Sequence, residues 1–532
     1  MDNKTPNKIE YSNNQILNDN IVNISLQKIF RESGIIFVGM IIGMFLVFIG
    51  RIILIRVTSP SEYGIYSLAL VLINVFSTIS ILGLGDGTAR CIAFFRGKGD
   101  LESARNVVRS SLQIVLISGV IFSIILFFSS EMISKNIFHD VNLILPLQIL
   151  TLGIPFLVFV NTFAAIFRGY GSGTPKVFFQ DTVNNILFLC FLILIVILNL
   201  SFISVFYAYI ASITIVCVVF GLFTMRKMSS FEGSKKLDKH SSGVTRYLLF
   251  FSIPLLTISI LNNVLHWTDT LMLGYFKTSS VVGIYNGAIS MVVLLPTILN
   301  ATAFIFIPIS TELYAKNMIG EMGKCYKILT KWVFLCTIPI FFMLVIFPEI
   351  SLNLLFGPKY SDAALPLIIL AFGSMFNIFL GFNGLSLIAM GRTKFIMVAS
   401  LTSVLFNVII DVLLIPPLGM IGAAIGSLLS IWIFNILKSI KLYQLSKIHP
   451  FTLNFLKLIV ISVILFGIFY VTTHFITIVF WMLPIIMIIF LILYGILLFI
   501  TKSFDSNDFQ VLVSIEKRLG LNLKIIKKII RK

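Results

Sequence analysis

Long apolar stretches alternate with short polar connections along most of the chain. Runs such as "GIIFVGMIIGMFLVFIG" and "IIMIIFLILYGILLFI" lack charged residues over lengths that fit the hydrocarbon core of a membrane. Counting such runs predicts fourteen transmembrane helices. We place them near residues 34–56, 63–86, 109–130, 142–166, 177–199, 203–225, 247–273, 281–306, 328–348, 363–390, 395–415, 419–440, 453–473 and 477–500.

The pattern repeats along the chain. Gly-Ile-Tyr followed by an apolar run occurs at Gly64 and at Gly283, which are 219 residues apart. Two further pairs of similar phrases recur in the same order at a spacing of 220, one beginning at Leu145 and Leu365 and one containing Gly171 and Gly391. These matches indicate a duplication of six spans. Because six is even, the two copies share one orientation and are parallel repeats. We interpret the Gly-Ile-Tyr phrase as a tight hairpin at the start of the second span, with the tyrosine as an interfacial anchor.

Basic residues separate the connections into two sets. One set carries 34 of the 40 Lys and Arg residues, and the alternate set carries 3. The positive-inside rule therefore predicts that both termini are cytoplasmic. The predicted divisions are a cytoplasmic segment 1–33, a first six-helix bundle 34–226, a cytoplasmic linker 227–246, a second six-helix bundle 247–445, helices 13 and 14 in 446–501, and a basic amphipathic cytoplasmic tail 502–532.

Composition supports this assignment and excludes several functions. The chain is 58% apolar and 12% charged, which is far from the values of soluble domains. Its formal net charge of +18 follows from topology, so no nucleic-acid partner is expected. The five cysteines show no metal-ligand spacing, no GxxxxGK[ST] motif is present, and the loops are too short for a catalytic domain. We therefore expect no metal, no cofactor and no enzymatic activity. Segment 21–34 and the tail are each predicted to lie on the inner leaflet as a basic amphipathic helix.

Ionisable residues inside spans are costly in a membrane and should face protein or water. In span 7, Asn262, His266 and Asp269 fall within about 60° of one another on a helix and form one polar stripe. In span 1, Arg51 lies next to the position that the repeat equates with Asp269. We expect this pair to line a central cleft, with Arg51 available for an anionic headgroup. The alternatives are a structural ion pair, or snorkelling of Arg56 to the outer interface.

Other polar residues close spans on the cytoplasmic side. Asp86 and Arg90 end span 2, and Arg168 ends span 4. They are candidates for inner gates or for contacts with a substrate phosphate, although positive-inside placement alone also accounts for the arginines. Asparagine and aspartate on other helix faces are interpreted mainly as helix-packing groups. These are Asp181, Asn184 and Asn185 in span 5, and Asn407 and Asp411 in span 11.

Several phrases resemble a known family. "RVTSPSEYGIYSLALVL", "LGLGDGTARCIA", "AIFRGYG", "DTLMLGYFKTSSVVGIYNGA" and "AMGRTK" look like the polysaccharide-biosynthesis (O-antigen-type) flippases of the multidrug/oligosaccharidyl-lipid/polysaccharide (MOP) superfamily. The resemblance runs from about residue 30 to 500. It implies an all-α integral membrane protein with two parallel six-helix repeats in a V-shaped, MATE-like fold, plus two extra C-terminal helices.

The resemblance also implies a function. Members of this branch carry a polyprenyl-(di)phosphate-linked oligosaccharide across the plasma membrane by alternating access, without ATP. Its implied partners are that lipid-linked oligosaccharide, membrane lipids and glycan-assembly enzymes. Alternatives within the superfamily are a lipid II flippase, which also has fourteen spans, and an ion-coupled multidrug exporter, which usually has twelve. A membrane glycosyltransferase would need a larger loop with paired carboxylates, and an inert scaffold does not account for the intramembrane charges.

Overall fold

The computed structural model describes residues 36–231, 242–475, 480–501 and 503, and within these ranges the regular structure is entirely helical. The segment predicted at 21–34 and, apart from Ser503, the tail predicted at 502–532 lie outside the described residues. Helices are expected here because a chain in lipid must satisfy its backbone hydrogen bonds within each segment.

The helices of the first half lie in chain order from α1 to α8, and the second half contributes α9 to α17. The first set is α1 Ile36–Val57, α2 Pro60–Ser80, α3 Leu84–Gly97, α4 Leu101–Met132, α5 Ile144–Thr151, α6 Ile154–Gly169, α7 Thr174–Ile197 and α8 Ser204–Phe231. The second set is α9 Ser242–Phe276, α10 Ser279–Val292, α11 Thr297–Ala315, α12 Ile319–Ile346, α13 Pro348–Phe356, α14 Ala364–Leu380, α15 Asn383–Ala389, α16 Thr393–Leu418 and α17 Met420–Ser446. The last two are α18 Leu453–Phe475 and α19 Leu483–Ile500.

The number of membrane spans agrees with the sequence. Twelve helices in the described residues are long and apolar enough to cross a membrane, and two bent helix pairs raise the number to fourteen. One pair bends by 48° between Thr151 and Ile154, and the other by 54° between Val292 and Thr297. Pro155 and Pro296 lie at these breaks, where a proline removes a backbone donor and blocks a regular helix.

The two halves meet along α2, α9 and α10. Helix α9 packs against α2, α3 and α4 of the first half and against α16 and α17 of the second, so span 7 is shared between them. Helix α10 packs along α2. The two Gly-Ile-Tyr phrases therefore lie in contact with each other.

This arrangement corrects our interpretation of the phrase. Gly64 and Gly283 are each the fifth residue of their helix, α2 and α10, and so lie within helices rather than in a loop. Their tyrosines, Tyr66 and Tyr285, are buried in the protein and do not anchor an interface. The glycines serve close helix packing, because a side chain at either position would overlap the facing backbone.

Helices α18 and α19 pack on the second half through aromatic residues. Phe342 of α12 stacks on Phe490 of α19 with ring centroids 3.9 Å apart, and it also meets Phe466 and Phe469 of α18. The two additional C-terminal helices predicted from the sequence, α18 and α19, thus pack against α12 of the second half.

Candidate functional site: a central cavity between the two halves

A central cavity lies between the two halves and consists of two adjoining chambers of about 470 and 390 Å³. Asn74, Asn184, Tyr209 and Trp267 belong to the walls of both chambers. The larger chamber reaches the helix ends at Asp86, Arg168 and Lys176, where the connections are rich in Lys and Arg. We call this the basic end. The smaller chamber extends toward the opposite end and reaches Arg51 and Tyr63.

A side groove of about 220 Å³ runs from the cavity between α1 and the bend that joins α10 to α11. Its walls are mainly apolar, with Met40, Met44 and Phe48 on one side and Val293 and Leu294 on the other. Val293 is 46% exposed and lines both the smaller chamber and the groove. The groove therefore joins the smaller chamber along a mainly apolar wall.

Amide side chains dominate the polar wall of the larger chamber. Gln180 donates to Asn161 Oδ1 at 3.0 Å, and Asn263 donates to Thr78 Oγ1 at 3.0 Å. Each amide presents both donors and acceptors, so the wall is suited to uncharged hydroxyl-rich groups. The aromatic faces of Tyr209 and Trp267 in the same wall add apolar contact area.

Arg51 lies in the wall of both the smaller chamber and the side groove. Its Nη1 donates to Ser290 Oγ at 3.4 Å, which is a long bond. Among the described residues, no carboxylate lies within 4.0 Å of its guanidinium nitrogens. A guanidinium inside a membrane bundle thus forms no ion pair in the described part of the chain, although Asp181 lies elsewhere in the wall of the same groove.

At the basic end, two of the predicted residues form an ion pair. Arg168 Nη1 lies 3.1 Å from Asp86 Oδ1, and Arg168 Nη2 donates to the Gly85 carbonyl at 3.0 Å. Both side chains line the larger chamber. Arg90 is placed differently, because its guanidinium stacks on the Phe251 ring of α9 at 4.0 Å.

Lys176 is a functional candidate that the sequence analysis missed. It lines both the larger chamber and the side groove. It immediately precedes a π-helical stretch, Val177–Val183, whose wider turn shifts the angular positions of the residues that follow along α7. Asn184 and Asn185, which we interpreted as packing groups, also line the cavity, and Asp181 lines the groove. On a helix with 3.6 residues per turn Asp181, Asn184 and Asn185 share one face, so the spacing fits this set but does not show that the face lines a cavity.

The polar stripe predicted on span 7 is divided in the structure. His266 lines the smaller chamber, whereas Asp269 is 5% exposed and lies inside the second half. Asn262 lies in α9, and its side chain is outside the described part. Because α9 forms the border between the cavity and the helix core, a rotation of about 60° is enough to separate His266 from Asp269. The expected pairing of Arg51 with Asp269 across the cleft is therefore wrong.

Asp269 instead belongs to a buried polar cluster in the second half. It accepts hydrogen bonds from Tyr285 Oη at 2.5 Å, Ser427 Oγ at 2.6 Å and Asn407 Nδ2 at 3.4 Å. Asp411 lies beside it, fully buried, and apart from the neighbouring Asp269 carboxyl its carboxyl oxygens have no hydrogen-bond partner among the described residues. Two adjacent buried carboxyls without a cationic partner require a proton or a bound cation for neutrality. Tyr285, the tyrosine of the second Gly-Ile-Tyr phrase, thus donates one of the hydrogen bonds in this cluster.

Arg56 lies outside the cavity, at the end of the molecule opposite the basic end. Its Nε donates to the Leu355 carbonyl at 2.9 Å, and its Nη2 donates to the Leu354 carbonyl. These carbonyls end α13, so a first-half arginine caps a helix of the second half. The Arg56 guanidinium is thus hydrogen-bonded to backbone carbonyls of the second half, so the side chain does not simply snorkel to the membrane interface.

Comparisons with known proteins agree with this architecture. The family model described as "Polysaccharide biosynthesis protein" matches residues 29–314, more than half of the chain, and the MatE model matches residues 254–413. A probable low-salt glycan biosynthesis flippase of Haloferax volcanii, Agl15, is 25% identical over 76% of this chain and 82% of its own. An uncharacterised membrane protein of Methanocaldococcus jannaschii is 27% identical over 43% of this chain, which spans only 46% of that relative.

Solved structures show the same fold. The lipid II flippase MurJ in an inward closed conformation aligns with a TM-score of 0.69 and 15% identity, over 88% of this chain and 98% of its own. An inward-facing MATE family multidrug transporter aligns with a TM-score of 0.62 and 16% identity, over 76% and 94%. The fold is that of the multi-pass membrane transporters of the MOP superfamily. Within that superfamily, the chain belongs to the polysaccharide biosynthesis protein family, and the resemblance drawn from the sequence is confirmed.

Proposed function

We propose that this protein is a flippase that moves a polyprenyl-(di)phosphate-linked oligosaccharide across the plasma membrane by alternating access. In this proposal the basic end and both termini are cytoplasmic, so the cavity receives its substrate from the inner leaflet. Two relatives support the proposal, since Agl15 and a second Haloferax volcanii protein, AglR, are both described as probable flippases.

The observation that carries the proposal is the unmatched guanidinium of Arg51. A cation without a carboxylate partner inside a membrane bundle is costly unless a ligand or water solvates it. Phosphate oxygens pair with a planar guanidinium through two parallel hydrogen bonds. Arg51 lies where the cavity meets the side groove, which is the place where a phosphate would join a sugar to its lipid. Lys176, also in the groove wall, would provide a second positive charge.

The other walls fit the remaining parts of such a substrate. The amides and aromatic faces of the larger chamber would replace the water around the sugars, and the apolar side groove would hold the first part of the prenyl chain while the rest stays in lipid. Asp86 and Arg168 would form an inner gate at the basic end, and His266 would contact sugar hydroxyls in the smaller chamber. Without a nucleotide-binding motif, transport would be driven by a substrate gradient or an ion gradient, and glycan-assembly enzymes would supply the substrate.

The same geometry weighs against the main alternative, an exporter of cationic drugs. A cationic cargo would be repelled by Arg51 and Lys176, and it would need an acidic cavity wall. The buried carboxyls Asp269 and Asp411 do not line the chambers; Asp86 does, but it is paired with Arg168, and Asp181 lines the groove together with Arg51 and Lys176. The MatE match and the MATE fold keep an exporter as the competing outcome of the experiment below.

The test is a gene deletion followed by mass spectrometry of lipid-linked saccharides, with rescue by Arg51 variants. We expect one prenyl-(di)phosphate oligosaccharide to accumulate and its glycan to disappear from the cell surface. Arg51→Ala should fail to rescue at normal abundance, and Arg51→Lys should rescue in part, because it keeps the charge but not the planar fork. Arg109→Ala is the matched control, since Arg109 is exposed on α4 and does not line the three cavities. An unchanged lipid profile together with new drug sensitivity would contradict the proposal.

A further inference from the structure

The two Gly-Ile-Tyr phrases make a reciprocal contact at the end of the cavity opposite the basic end. A Cβ atom at Gly64 would overlap the Ser279 carbonyl oxygen, and one at Gly283 would overlap the Pro60 carbonyl oxygen. The two contacts are equivalent under the 219-residue repeat, because Pro60 corresponds to Ser279 and Gly64 to Gly283. The pseudo-two-fold axis between the halves therefore passes through this crossing of α2 and α10.

Hydrogen bonds between the halves surround the crossing. Arg56 of α1 donates to the Leu354 and Leu355 carbonyls at the end of α13. Ser279 Oγ, at the start of α10, donates to the Asp140 carboxylate in the connection after α4. Each bond joins the first half to the second.

A further contact lies on the cavity side of the crossing. Tyr63 Oη and Ser290 Oγ are 3.2 Å apart, and Tyr63 belongs to the wall of the smaller chamber. The crossing thus forms the closed end of that chamber. Backbone contact at two glycines, supported by these polar bonds between the halves, holds this end shut.

From this arrangement we propose that the Gly64–Gly283 crossing, with Arg56 and Asp140 as its latches, is a releasable clamp that must separate before the cavity can open at this end. The clamp depends on the proposed function in one respect only. That function places the end of the cavity opposite the basic end on the outer side of the membrane. This proposal gives the repeated Gly-Ile-Tyr phrase a role in the transport cycle. Each six-helix bundle contributes one copy of the phrase, and the two copies together close the cavity.

The clamp can be tested by cysteine accessibility in the full-length protein. Leu70, in the wall of the smaller chamber, is replaced by cysteine in a background lacking the five native cysteines. A membrane-impermeant thiol reagent is then added from either side of the membrane. The intact clamp predicts slow labelling from the outer side. Gly64→Ala and Gly283→Ala should raise the outer-side labelling rate about tenfold or more and lower the rate from the basic side, because the added methyl group cannot fit in the closed crossing.

Controls separate release of the clamp from a general loss of packing. Gly467→Ala in α18 is the matched substitution, because nothing lies within 4 Å of its added Cβ, and it should label like the parent. Arg56→Gln removes a latch without adding volume, so a labelling increase there supports the clamp even if the alanine variants fail to fold. Unchanged labelling from both sides in Arg56→Gln and in the folded glycine variants would overturn it. Faster labelling from the cell interior, with the basic end found on the outside, would support the clamp but contradict the orientation in the proposed function, whereas faster labelling only from the basic side would overturn the clamp.

Discussion

Removing one hydroxyl from the buried cluster gives a quantitative prediction. Tyr285→Phe deletes the 2.5 Å hydrogen bond to Asp269 and leaves the ring in place. Interhelical hydrogen bonds in membranes contribute about 0.6 kcal/mol on average and reach about 1.7 kcal/mol. Tyr285 is fully buried and its acceptor is a carboxyl group, so we place this bond near the upper end and expect a loss of about 1.5 kcal/mol in the free energy of unfolding.

The repeat supplies a matched control for this substitution. Tyr66 is the tyrosine of the first Gly-Ile-Tyr phrase, and it lines the smaller chamber instead of a carboxyl cluster. Tyr66→Phe should cost less than about 0.5 kcal/mol, because no bond to a charged acceptor is lost. Denaturant unfolding of the purified proteins in micelles measures both values. Equal losses in the two variants, or no loss in Tyr285→Phe, would refute the assignment of Tyr285 as a stabilising donor to Asp269.

Two further predictions concern acidic residues. Asp411→Asn should leave the free energy of unfolding unchanged or higher, because it replaces one of two adjacent buried carboxyls with a neutral amide, whereas Asp269→Ala should lower it by removing the acceptor of three bonds. Micelle unfolding that ranks Asp411→Asn as the less stable variant would contradict this account. Outside the spans, hydrogen bonds from Ser103 hold the pKa of Asp100, the N-cap of α4, below its usual value. Asp100→Ala should therefore lower the free energy of unfolding by about 1 kcal/mol at neutral pH. The difference from the parent should shrink as the pH falls below about 4, because the carboxylate becomes protonated. A difference that does not depend on pH would exclude a role of the Asp100 carboxylate as the N-cap.

The helices could be predicted from the sequence, but whether each polar side chain points into the cavity or into the helix core could not. Apolar runs determine spans because lipid leaves the backbone few alternatives. The side chosen by a polar residue depends on neighbours that periodicity does not include, as His266 and Asp269 illustrate on one helix. The π-helical stretch that begins at Val177 adds a local rotation that no 3.6-residue pattern contains.

The repeat predicted the parallel arrangement of the two halves. It did not show which residues of the two halves contact each other at the pseudo-two-fold axis. Gly64 and Gly283 were therefore interpreted as equivalent hairpin positions, each within its own half. Their mutual contact depends on how the halves pack, which is a tertiary property. A repeated glycine near the start of two duplicated spans could have suggested close helix crossing.

The central claim is tested most directly by transport in proteoliposomes. The purified protein is reconstituted with the lipid-linked oligosaccharide isolated from the deletion strain, and a membrane-impermeant glycosidase reports how much of the glycan reaches the outside. The account predicts that the accessible fraction rises with time well beyond that of protein-free vesicles, that Arg51→Ala abolishes the rise and that Arg109→Ala preserves it. An accessible fraction equal to that of protein-free vesicles, measured with correctly folded protein, would contradict the claim that this transporter is a flippase for that lipid.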